Sequence, residues 1–290
     1  MKDILLIILS ISVLLGVPST TFLMGMNLGR ISVYHLTKNL VMIIKYSVAM
    51  YIIMPIVALF MLFLLPGYQE IWSGLYLVSI APAMPLILKA TLRNKHESGF
   101  ALMWFVIAII LSVFFIPINL GIAEVLLKLD FKLGFLKVLW KLLSLFLLPL
   151  AAGYFLKHHF PDISERIKKP VNFINKTGLT ALTVSFFAIS IPVFLKSDPI
   201  LILLVVCFLF VALIIGIIFG MNDKVNSPLL EASLLLRFPA PAIVFMQINN
   251  SVEKHAPVIV IYTLMGLILM NLSMKFYFNK RPAADVSQLA

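Results

Sequence analysis

Between Pro199 and Gly220 the chain runs without one charged or amide side chain. Apolar runs of about 20 residues recur along the whole length, each long enough to cross roughly 30 Å of hydrocarbon. That repetition constrains the fold more than any other feature. Lipid offers no partner to an unpaired N–H or C=O, so such runs must be helical. Composition agrees, because a water-solvated chain of 290 residues needs more polar surface than 12% charged residues against 62% hydrophobic ones can supply. Mean hydropathy is +1.08. The chain reads as an all-α polytopic membrane protein, with residues 1–290 forming a single transmembrane unit.

The pattern predicts about nine transmembrane helices, near 4–28, 38–65, 71–92, 98–127, 133–157, 171–195, 199–220, 228–249 and 256–278. The first is read as a span and not as a cleaved leader, since Asp3 interrupts the basic start and apolar character resumes through Phe22–Leu28. The formal charge of +11 is explained by loops rich in Lys and Arg. With the N-terminus outside, 12 loop cations lie inside and 5 outside, which predicts an outer N-terminus and a cytoplasmic C-terminus in the plasma or inner membrane. Nucleic acid is therefore not needed to explain the charge. Connections are short except for "KHHFPDISERIKKP" at about 157–170, which is expected to be an amphipathic cytoplasmic linker between two halves. Cys207 is the single cysteine and can form no intramolecular disulfide. His158 and His159 lack a Cys or His partner at ligand spacing, so neither a metal nor a cofactor is expected. No Ser/His/Asp, Cys/His or dicarboxylate set converges within the spans, and no catalytic residues are assigned.

Two spans are interrupted. "SIAPAMPLILK" carries Pro82 and Pro85, and "EASLLLRFPAPAI" carries Pro239 and Pro241. Two prolines so close together unwind a helix, and inside a membrane unwound backbone is tolerated only where it is buried in protein or lines a wet cavity. The interrupted spans are the third and eighth, one in each half. Broken helices at corresponding places point to inverted repeats, with two broken, crossing helices and a site between them near the midplane. Charges accompany both breaks, as Lys89, Glu231 and Arg237. At mid-depth each costs at least about 2.5–3.5 kcal/mol, and an ionisable residue there is functional by default. Asn27, Ser233 and Asn271 complete the candidate set, with Thr20 and Gln247 as further polar groups, and helix–helix hydrogen bonding is the simpler account of each of the five taken singly.

Several stretches resemble the bile acid:sodium symporter family, in order and at similar spacing. They are "FLMGMNL" (Phe22–Leu28), "IIMP" (Ile52–Pro55), "GLYLVSIAPAMP" (Gly74–Pro85), "FLLPLAAG" (Phe146–Gly153), "APV" (Ala256–Val258) and "NLS" (Asn271–Ser273). The resemblance implies a nine-helix form of that fold. In it, a panel of helices at about 4–28, 133–157 and 171–195 works against a core at about 38–127 and 199–278. The family's sodium ligands are mostly absent. Ile87 and Leu88 stand where relatives keep a Ser-Asn pair, and Leu235 and Leu236 where they keep Gln-Asn. Met50 replaces a glutamine, and Ala101 and Phe105 replace hydroxyl ligands. None of these side chains offers sodium an oxygen.

Lys89 and Arg237 each follow a lost ligand pair, so a tethered cation near Glu231 is expected to replace the sodium charge. Either cation is a candidate partner for Glu231. The resulting expectation is a secondary transporter of a small organic anion, working by alternating access without strict sodium dependence. A proton or sodium remains the candidate coupling ion, and the lipid bilayer the remaining partner. The alternatives are a sodium-coupled bile-acid-type symporter and a non-transporting, transporter-like sensor or scaffold.

Overall fold

The computed structural model describes residues 2–28, 39–64, 66–84, 87, 98–127, 135–195, 199–221, 227–249 and 251–279. Among these residues every regular element is helical. Seven helices are long and apolar enough to span a membrane. They are α1 (Lys2–Asn27), α2 (Leu40–Leu64), α4 (Ser98–Leu127), α5 (Phe135–His159), α6 (Pro161–Phe194), α7 (Ile200–Gly220) and α10 (Val252–Asn279). Three shorter helices make up the interrupted segments: α3 (Gln69–Ser79), α8 (Ser227–Leu235) and α9 (Ala240–Ile248). Counted as seven full helices and two broken ones, the layout agrees with the nine spans expected from the sequence.

The polar stretch 157–170 is not a linker. Phe160 alone separates α5 from α6, and Pro161 opens a helix of 34 residues. Proline suits the first helical position because its missing N–H would have had no intrahelical partner there. Lys157, His158 and His159 occupy the last turn of α5 and Asp162 the first turn of α6, each at the helix end that favours its charge. Lys157 Nζ meets Glu165 Oε1 at 2.6 Å across this turn. At 1.5 Å per residue α6 is roughly 50 Å long, well beyond the hydrocarbon thickness, so its polar first turns extend past the apolar layer.

α1 packs along α5 and α6. Its crossing with α5 is made by two glycines. A Cβ on Gly25 would lie 2.1 Å from the Leu150 carbonyl oxygen, and one on Gly153 would lie 2.1 Å from that of Phe22. Bare backbones thus touch, as is usual where membrane helices pack without hydrophobic drive. On the other side of α1, Asn175 of α6 donates to Thr20 Oγ1 at 2.5 Å and to the Gly16 carbonyl at 3.2 Å. A second group forms around α10, which contacts α3, α7 and α8, while α2 packs on α3. The two groups meet where α10 contacts α6, α4 contacts α5, and α9 contacts α1. At the last of these Gln247 donates to Ser10 Oγ at 3.2 Å.

Candidate ion and substrate site

α3 stops at Ser79, whose hydroxyl turns back to the Tyr76 carbonyl at 2.7 Å. Ala81 N–H tightens this last turn by donating to Val78 at 3.0 Å, and Pro82 then has no N–H to continue the helix. The other break opens after Leu235 and closes at Ala240, with Pro239 as the N-cap of α9 and Pro241 in its first turn.

The two breaks bond to each other. Phe238 N–H donates to the Pro82 carbonyl at 2.7 Å, and Met84 N–H donates to the Leu236 carbonyl at 3.0 Å. Ala83 and Arg237 face each other as an antiparallel pair between these bonds. An unsatisfied backbone group in hydrocarbon costs several kcal/mol, and this exchange satisfies two donors and two acceptors at once. The neighbouring carbonyls of α8 are also met. Tyr262 of α10 donates to the Leu234 carbonyl at 2.7 Å. Gly266, one turn further along α10, presses so close that a Cβ there would lie 2.2 Å from the Leu235 carbonyl oxygen.

Arg237 is buried in this crossing, 1% exposed. Its Nη1 donates to the Ala81 carbonyl of the first break at 3.1 Å. Nη2 donates to the Met50 carbonyl at 3.4 Å. Met50 lies in a π-helical turn, Ala49–Ile53, that widens α2 at this depth. A π turn shifts the hydrogen-bond register by one residue, and such turns are frequent at functional sites. Arg237 Nε has no partner among the described residues. The Tyr262 hydroxyl oxygen is a further acceptor within reach of the guanidinium, and the Tyr51 hydroxyl is near enough to interact with it electrostatically. Each donates its own proton elsewhere, Tyr51 to the Ala108 carbonyl and Tyr262 to that of Leu234.

Glu231 is equally buried, at 1% exposed. Ser273 of α10 donates to its Oε2 at 2.8 Å. Gly216 of α7 lies against its stem, where a Cβ would come within 2.8 Å of Glu231 Cγ. Arg237 thus directs its Nη donors to backbone carbonyls while Glu231 accepts from a hydroxyl on α10. Ser233, one turn before Arg237, accepts from Trp104 Nε1 at 3.0 Å and donates to the Leu229 carbonyl at 2.6 Å. Asn27 and Asn271 are exposed and bond back to their own helices, at the Leu23 and Leu267 carbonyls. Lys89 and Pro85 lie outside the described residues.

The structure therefore gathers Arg237, Pro82, Pro239 and Pro241 at one crossing, with Glu231 and Ser233 on the helix leading into it. Tyr51, Tyr262 and Ser273 were not singled out from the sequence. Tyr51 and Tyr262 lie in largely apolar stretches, where a buried tyrosine hydroxyl usually finds a hydrogen-bond partner, and Ser273 closes the "NLS" stretch. That was the available signal.

Residues 6–224, about three quarters of the chain, match the model of the SBF-like CPA transporter family. The chain belongs to that family. The SBF-like CPA transporter family falls within the bile acid:sodium symporter superfamily, and this member is a multi-pass membrane protein of transporter type. The match covers the first break and stops short of the second. In this SBF-like transporter the second half of the crossing is therefore defined by its hydrogen bonds to the first. No curated protein matches the chain.

Proposed function

We propose that this SBF-like transporter carries a small organic anion across the membrane by alternating access, without strict dependence on sodium. The place of Arg237 carries the reading. A guanidinium that stays charged at any physiological pH is held between a carbonyl of the first break and one freed by the π turn of α2. Sodium would need hard oxygen ligands in this region. The side chains at Met50, Ile87, Ala101, Phe105, Leu235 and Leu236 supply none, and all six are buried. The positive charge that relatives take from solution is here part of the chain.

The helix end beside it favours an anion. α9 begins at the crossing with no side-chain cap on its N-terminus, so its first N–H groups and the positive end of its dipole favour a carboxylate or sulfonate. Lys89 is a second candidate cation for the same purpose, and Glu231 and Ser233 shape the helix entering the site. In the moving parts, α1, α5 and α6 form the panel, and α2–α4 with α7–α10 form the core that carries the crossing. The excess of loop cations on one side supports an outer N-terminus and a cytoplasmic C-terminus, in the plasma or inner membrane.

Purified protein in liposomes, offered labelled organic anions, tests this. Uptake is expected to be the same when choline replaces sodium on both sides. Strict sodium dependence would overturn the reading. One observation favours a second reading, a transporter-like sensor: two donors of Arg237 are committed to backbone, which also suits a fixed strut. Saturable binding of an anion without any flux would select that alternative.

A further inference from the structure

We infer that the protein exchanges one organic anion for another across the membrane and does not accumulate anions on an ion gradient. The inference rests on the function proposed above. A soluble coupling ion does two things. It neutralises charge in the site, and by leaving on the far side it delivers the free energy of its gradient. The guanidinium of Arg237 does the first and is barred from the second. It is fixed to the chain, tied by Nη1 and Nη2 to the Ala81 and Met50 carbonyls, and it does not give up a proton in proteins.

The empty site is then the awkward one. It keeps a cation that is 1% exposed and an Nε donor that has no partner among the described residues. Any intermediate closed to water on both faces must hold that guanidinium and its unmatched Nε donor without solvent, which is costly. A bound carboxylate or sulfonate supplies the missing acceptor through a charge-assisted hydrogen bond. The loaded site reorients readily and the empty site resists. A carrier that reorients mainly when loaded is an exchanger.

The full-length protein in sodium-free liposomes, with the membrane potential clamped, reads this directly. Labelled succinate, gluconate or benzenesulfonate is placed inside, and efflux is followed into buffer with or without the same unlabelled anion. The external anion is expected to speed efflux by about tenfold or more, the factor that relieving one buried unsatisfied group commands. Equal efflux in the two buffers overturns the inference. So does uphill accumulation driven by a sodium gradient, or by a proton gradient acting through a group such as Glu231. Absence of flux for all three anions under every condition sinks the proposed function instead. Arg237→Gln, if it purifies as a folded protein, is expected to lose the acceleration, whereas Arg237→Lys retains part of it. Acceleration persisting in the glutamine variant overturns the assignment to Arg237, and the wild-type comparison stands alone if neither variant folds.

Discussion

Gly266 has no room for a methyl group. Its alanine variant would place Cβ 2.2 Å from the Leu235 carbonyl oxygen, which is backbone and has little freedom to retreat. Gly266→Ala should therefore push α10 off the end of α8 and destabilise the protein by about 1–3 kcal/mol, read as a lowered thermal unfolding midpoint in detergent. Tyr262, one turn away, would lose its line to Leu234 in the same movement. Ser233 makes the contrasting case, in which nothing clashes and a donor is orphaned. Ser233→Ala leaves Trp104 Nε1 buried without its acceptor, at a cost of about 1–3 kcal/mol. The change should also appear as altered tryptophan emission, and an unchanged unfolding midpoint would mean that the indole finds another partner. Neither residue needs to touch the transported anion for these effects.

At the scale of the element, the paired prolines and the single ones separate. Pro117 lies inside α4, which continues through it, while Pro82 ends a helix and frees the backbone that pairs with the opposite break. Pro82→Ala restores an N–H and lets α3 extend by another turn, drawing Ala83 away from Arg237. Uptake in liposomes is expected to fall to near background for Pro82→Ala and to stay close to wild type for Pro117→Ala. Loss of the two in parallel would remove the distinction. The breaks themselves were legible in the sequence, because two prolines beside a charge have few other uses in an apolar run. Their mutual hydrogen bonds were not, because backbone N–H and C=O groups have no letter, and the partners are about 150 residues apart. The same blindness hid the two carbonyls that accept from the Nη groups of Arg237. Glu231 was a natural partner on charge alone, yet the Nη donors of Arg237 go to carbonyls, and the hydroxyl that Ser273 of α10 donates to Glu231 has no charge to announce it. The segment at 157–170 failed for a different reason. Its charges resemble a loop, but they decorate one helix end and one helix start, and Pro161 marks the beginning of a helix and not a gap between two.

For the whole molecule, the distribution of loop cations predicts the way the chain sits in the membrane. Cysteines introduced at Asn249 and Ala284, in a background carrying Cys207→Ser, would report it through an impermeant thiol reagent applied to intact cells. Labelling is expected from outside at position 249 and only after permeabilisation at 284. The reverse pattern would invert the orientation and with it the face from which the crossing first opens. The crossing also sets a schedule for how the protein comes to exist. Its first strand-like segment is finished about 150 residues before its partner is translated. At roughly 5–20 residues per second, the Pro82 carbonyl and the Met84 N–H wait on the order of 8–30 s for Phe238 and Leu236 to arrive. For that interval half a membrane protein holds an open polar seam. The insertion machinery must shelter it until the ribosome has delivered the other half.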